Sequence, residues 1–143
     1  MKPSTQMPKR ENRMLFWLLV ANVIATVLHY VDNIYYFHQY PEPDWLNPHI
    51  VDAFWFAMTP FAALGYVLFK KDRFHLGCIS LYIYSSASLL VLGHYNYGDI
   101  CSISFRINFF ILFEATLASI LMLYVAFLQS SLFRKLPNQL SPN

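Results

Sequence analysis

The chain has 143 residues, one domain's worth, with a formal net charge of +2; 57% of its residues are hydrophobic and only 13% charged. A soluble domain carries roughly 25% charged residues, so this balance excludes an ordinary water-soluble fold and points to a membrane protein. Two cysteines cannot make a disulfide framework, and no basic aromatic patch, phosphate loop or nucleophile motif is present, which argues against nucleic acid as a partner.

Residues 1–13 hold Lys2, Lys9, Arg10 and Arg13 with two prolines and read as a polar, disordered tail. No small-residue cleavage site follows the apolar run after them, so that run is expected to be kept as a membrane helix rather than removed as a signal peptide. The first helix is predicted over 14–37, because Met14 to Val31 contains no Asp, Glu, Lys or Arg and is long enough to cross a hydrocarbon core of about 30 Å. At 100° per residue, Asn22, Thr26, His29, Asp32 and Asn33 fall within an arc of about 120°. A polar stripe against lipid is costly, so this face should meet protein.

His38 to Pro48 contains three prolines, Glu42 and Asp44 and is expected to turn, flanked by Tyr35, Tyr36, Tyr40 and Trp45 as an interfacial aromatic girdle. The second helix is expected over 49–69, with Pro60 kinking its middle and Lys70, Lys71 and Arg73 ending it. The third spans 74–95, with a centre of small and hydroxyl residues suited to close helix packing. The fourth spans 103–128, and 129–143 forms a polar C-terminal tail with Arg134 and Lys135. The fold class is therefore an all-α integral membrane protein, a four-transmembrane-helix bundle. Nine of ten basic residues fall at the end that carries the termini and the second-to-third loop, with Arg106 alone at the other. The positive-inside rule then makes both termini cytoplasmic. Cys78 and Cys101 fall near opposite ends of the bundle, too far apart for a disulfide, and should be free thiols.

The outer half collects the ionisable residues. His29-x-x-Asp32 closes the first helix and His49-x-x-Asp52 opens the second. Three residues of helix rise about 4.5 Å, so antiparallel pairing levels His29 with Asp52 and Asp32 with His49. His94 ends the third helix; Arg106 opens the fourth, and Glu114 lies near its midplane. A carboxyl at that depth must be protonated, paired or lining a cavity. If a pocket opens outward, Glu114 is expected at its floor, with His29 and Asp52 above. The candidate binding residues are His29, Asp32, His49, Asp52, His94 and Glu114. Each also has an ordinary structural reading: Asp32 and His49 as solvated caps, Asp52 as an acid favoured by a helix N-terminus, His29 as a hydrogen-bonded core histidine.

The order of features (an acid ending helix one, the Pro41-Glu42-Pro43-Asp44-Trp45 turn, then Asp52 and mid-helix Pro60) resembles the emopamil-binding protein family, the EXPERA-domain proteins that include sterol isomerases and the sigma-2 receptor. The resemblance implies that Asp32 and Asp52 hold the amine of a cationic ligand, and that a histidine with acids moves a double bond in catalytic members. Whether this chain is an enzyme stays open.

Four functions fit these residues. The first is binding, with or without isomerisation, of a hydrophobic small molecule by a largely apolar pocket with a few polar groups. The second is a metal site drawn from His29, Asp32, His49 and Asp52. Haem ligation by His29 and His94 is the third, although His94 is placed nearer the border than His29. A non-catalytic subunit of a larger membrane complex is the fourth. The partners expected are membrane lipids, a hydrophobic ligand, and a membrane-protein partner or second copy; no cofactor and no particular membrane is indicated.

Overall fold

The computed structural model describes residues 7–135, with side chains described through residue 131. Four helices follow one another: α1 (Lys9–Tyr35), α2 (Pro48–Lys70), α3 (Phe74–Leu89) and α4 (Phe105–Lys135). All four are long and apolar enough to cross a membrane, counting the 3₁₀ helix Leu90–Asn96 that extends α3. Among the described residues there are no strands.

The boundaries differ from the sequence expectation where polar residues extend a helix. α1 begins at Lys9 rather than Met14, so residues 9–13 are helical instead of a disordered tail. The phenol of Tyr124 donates to the backbone carbonyl of Glu11 at 3.0 Å, fastening this extra turn to α4. α4 likewise runs on through 129–135, the first half of the expected C-terminal tail. The tail assignments for 1–6 and 136–143 lie outside the described residues. α2 matches its expected span within a residue at either end. Asn47 caps it by accepting from the Ile50 N–H at 3.1 Å, and Pro48 occupies the first turn, where a missing N–H costs nothing. The helix continues through Pro60, and Ser80 of α3 donates to the carbonyl of Phe61 beside it at 2.9 Å.

α1 packs chiefly on α4, α4 on α3, and α3 on α2, while α1 and α2 form the weakest of the four neighbouring pairs. The polar stripe of α1 does face protein: Asn22, Thr26, His29 and Asn33 are all buried. Asn22 donates to the carbonyl of Leu117 at 3.1 Å, a hydrogen bond across α1 and α4 of the kind that holds helices together in lipid. α2 and α3 approach closely through Gly65 and Gly77. A Cβ at Gly77 would stand 2.6 Å from a ring carbon of Phe69 and 3.3 Å from the Gly65 carbonyl oxygen, so only glycine fits that contact. The core clusters Leu15, Leu19, Phe69, Leu81, Leu121 and Val125 at the half of the bundle nearer the termini, and Met58 continues it towards the middle. Outward faces are apolar too, with Trp17, Phe56, Leu64, Ile79, Leu90, Leu123 and Phe127 exposed. In water such surface would be a large liability; in lipid it is the ordinary exterior. Cys78 is buried and Cys101 exposed, and both are free.

Candidate functional site

The half of the bundle away from the termini is built differently. Here α1 and α2 stand apart, and a cavity of about 300 Å³ occupies the space between them and the end of α3. Its wall is mostly apolar: Pro43, Trp45, Leu46, Phe54, Trp55, Met58, Leu90 and Val91 contribute, with Thr26, His29, Asn33, Glu42, Ser88, His94 and Glu114 supplying the polar atoms. The change from α to 3₁₀ winding at Leu90 shapes one side. Three residues per turn place Val91, His94 and Tyr97 in one row and Leu90 and Gly93 in the next, and all five line the cavity. The sequence expectation of an unbroken α-helix over 74–95 missed this change.

Glu114 reaches the site from the middle of α4. Its Oε2 lies 2.7 Å from His29 Nδ1, and both side chains are at least 90% buried. The roles of the two ring nitrogens depend on the tautomer; an Nδ1–H donated to Glu114 would leave Nε2 of an uncharged ring as an acceptor. That Nε2 is buried and has no hydrogen-bond partner. His94 packs edge-on against His29, ring centroids 5.5 Å apart, and Tyr40 lies against both rings.

The loop between α1 and α2 folds back over the cavity. Glu42 accepts from the side-chain amide of Asn33 at 2.8 Å and sits 3.3 Å from His94 Nδ1. The same Nδ1 lies 3.4 Å from the Pro41 carbonyl, which can only accept, so the nitrogen carries a hydrogen shared between the two oxygens. Burial pushes the Glu42 carboxyl above its ordinary range, against the downward pull of the Asn33 amide and of His29. Gly98 allows the second distal loop to close on the first: a Cβ there would meet the Pro41 side chain at 2.7 Å.

Outside the cavity, a second group pins this loop to α4. Arg106 donates to Asp32 Oδ1 at 2.5 Å and to Gln39 Oε1 at 3.1 Å, and lies 3.5 Å over the Tyr36 ring. Tyr40 donates to the other oxygen of Asp32 at 2.8 Å; burial, with that hydrogen bond to Asp32, raises the phenol's pKa.

Of the six candidate residues, His29, His94 and Glu114 line the cavity, and Asp32, His49 and Asp52 do not. The expected cross-hairpin pairs do not form. His29 is paired with Glu114 and Asp32 with Arg106, while Asp52 accepts from the Tyr30 phenol and His49 is exposed. The levelling of depths presupposed helices in direct contact. At this level the cavity lies between α1 and α2, and the long Tyr30 side chain, stacked on Trp55 with centroids 5.0 Å apart, reaches across to α2. Asp52 is therefore not above Glu114 in the pocket. His94, expected nearer the border than His29, touches it.

The same geometry bears on the metal and haem alternatives. His29, Asp32, His49 and Asp52 are dispersed, and among the described residues no group of three or more His, Cys, Asp or Glu could hold a metal ion. Haem between His29 and His94 would require the rings to part, since they are in edge contact. Sequence reasoning missed Glu42, Tyr40, Trp55 and Ser88. Glu42 carried one usable signal, an acid between two prolines that force the chain to turn.

Comparison with protein-family models, with curated proteins and with solved structures finds no match to this chain.

Proposed function

We propose that this is a multi-pass membrane protein that holds a hydrophobic small molecule, polar end inward, in the cavity between α1, α2 and α3. One observation carries the reading: a largely apolar cavity of about 300 Å³ whose lining includes the paired His29 and Glu114. Small-molecule sites have this composition and run from about 300 to 1,000 Å³. His29 adds a second reading, proton transfer on the bound molecule. Its Nδ1 is fixed by Glu114, which orients the ring and supports charge on it, as a general base requires.

Gly93 gives a direct test. It lines the cavity, and a Cβ added there meets nothing within 4 Å. Gly93→Phe should fill the space without disturbing the fold. Native mass spectrometry of the protein released from lipid nanodiscs should show a defined bound mass in the wild type that is absent in Gly93→Phe. No bound mass, or one retained by Gly93→Phe, would refute the reading; a co-purifying membrane protein in its place would favour the helper-subunit role.

The orientation belongs to the same proposal. Lys9, Arg10, Arg13, Lys70, Lys71 and Arg73 lie at the end bearing the termini, and Arg106 at the other, a bias that supports a cavity on the non-cytoplasmic side. Cys101 is exposed in the distal loop and Cys78 is buried. A membrane-impermeant maleimide added to intact expressing cells should label Cys101. Labelling only after lysis would invert the orientation.

A further inference from the structure

We infer that the cavity opens sideways into lipid, through a slit between α2 and the 3₁₀ segment 90–96, and that its occupant is a lipid of the surrounding bilayer rather than a solute taken from water. The inference rests on the cavity being a small-molecule site, as proposed above, and adds the source and class of the molecule.

α2 and α3 are closely joined in the half nearer the termini, where Gly65 meets Gly77 and Ser80 donates to the Phe61 carbonyl at 2.9 Å. Past Leu89 the third helix changes to 3₁₀ winding, and this segment packs on α4 and hardly at all on α2. The seam between the two therefore parts in the distal half. Five residues that line the cavity are exposed, and all five border this seam: Trp45, Ile50 and Phe54 on one rim, Leu90 and Tyr97 on the other. Phe54 is 44% exposed and Leu90 65%, although both face the cavity. The lining residues of α1 and α4 are different: Thr26, His29, Asn33 and Glu114 are buried and Tyr30 is half-buried. A residue that is both exposed and part of the lining stands at the mouth.

The other sides are covered. Towards the distal water the loop between α1 and α2 lies over the cavity, tied by Glu42 to Asn33 at 2.8 Å and by Gln39 to Arg106 at 3.1 Å, with Pro41 packed on Gly98. Towards α1, Tyr30 crosses to α2, where it stacks on Trp55 and donates to Asp52. The slit has only apolar and aromatic rims. At about 2 Å per residue of 3₁₀ winding, Leu90 lies about 14 Å deeper than Tyr97. Trp45 and Tyr97 sit at the end where aromatic residues mark the membrane interface, and Phe54 and Leu90 sit at the depth of hydrocarbon. A lipid can slide in with its polar end at the upper level and its chain at the lower, each staying in the medium it prefers. A solute from water would have to displace the pinned loop or cross hydrocarbon first.

Tryptophan fluorescence in reconstituted bilayers tests this. Trp55 lines the cavity, whereas Trp17 faces outward and is not part of the lining. Versions that keep Trp55 alone or Trp17 alone, the other tryptophans being replaced by phenylalanine, are placed in phosphatidylcholine with brominated acyl chains. Parallel samples use unbrominated phosphatidylcholine with iodide in the water. Bromine should quench Trp55 about half as strongly as Trp17 or more, and iodide should quench Trp55 several-fold less than bromine does. Gly93 lines the cavity on the 3₁₀ side, and a Cβ there meets nothing within 4 Å. Gly93→Ala, Gly93→Leu and Gly93→Phe fill the mouth in steps. Bromine quenching of Trp55 should fall along this series, by about two-fold or more with Phe, while quenching of Trp17 stays constant and verifies insertion. Iodide quenching of Trp55 stronger than bromine quenching would put the entrance on the water side and overturn the inference. Bromine quenching unchanged along the series would mean annular lipid only, on the outer face of α2, and would overturn it too. If neither quencher reaches Trp55, the slit is closed and the inference is wrong. None of these results touches the small-molecule reading, which fails separately if no bound mass is found.

Discussion

Glu114→Leu is expected to lower stability by about 3–5 kcal/mol, the usual cost of removing one partner from a buried pair. The pair is tight and dry: His29 Nδ1 and Glu114 Oε2 are 2.7 Å apart, and the side chains are 10% and 6% exposed. His29 already has an unmet Nε2, so losing Glu114 would leave a buried ring with both nitrogens unmet. Glu114→Gln retains an oxygen that can accept from Nδ1 and loses only the charge assistance, an effect of about 1–2 kcal/mol. The double variant His29→Leu/Glu114→Leu removes both polar groups from an apolar setting and should regain most of the loss, because a buried pair replaced by hydrophobes is often neutral. Unfolding of detergent-solubilised protein, followed as thermal midpoints across this cycle, measures the coupling. Additive single-variant effects would mean that the two residues are not energetically paired.

The bundle was legible for a physical reason. A backbone crossing lipid must satisfy its own hydrogen bonds, so uncharged runs such as Met14 to Val31 have few structures available. Basic and proline residues then bracketed α2 to within one residue. The buried face of α1 was legible for a similar reason, since Asn22, Thr26, His29 and Asn33 could not profitably face lipid. Partnership within the site was not legible. Depth along a helix follows from residue number, but contact also depends on which helices are neighbours and on what lies between them. His29 and Asp52 were levelled by depth, whereas His29 turns to Glu114 of α4 and a cavity lies between α1 and α2 at that level. Glu42 enters the site only because Pro41 and Pro43 return the loop over the cavity, where it meets Asn33, nine residues earlier. No helical periodicity encodes that return.

Arg106→Gln is expected to cost about 2–3 kcal/mol and to loosen residues 36–40 selectively. The guanidinium makes three contacts with one short stretch of the molecule: Asp32 at 2.5 Å, Gln39 at 3.1 Å and the face of Tyr36 at 3.5 Å. Asp32 is the vulnerable partner, its side chain 10% exposed and left with only the Tyr40 phenol if Arg106 goes. The Arg106 side chain is 35% exposed, so water softens the loss below that of a fully buried pair. Hydrogen exchange should quicken in 36–40, while the amides of α3 below Ser88 stay protected. Arg106→Lys separates charge from shape. An ammonium can still pair with Asp32, but it cannot also present a flat face to Tyr36 and a second N–H to Gln39. It should therefore recover only part of the stability and little of the loop protection. Full recovery by lysine would show that a point charge beside Asp32 is enough, and that the stacking on Tyr36 does not hold the loop. If Arg106→Gln leaves the exchange of 36–40 unchanged, the loop is held from the cavity side instead, through Glu42, Asn33 and His94.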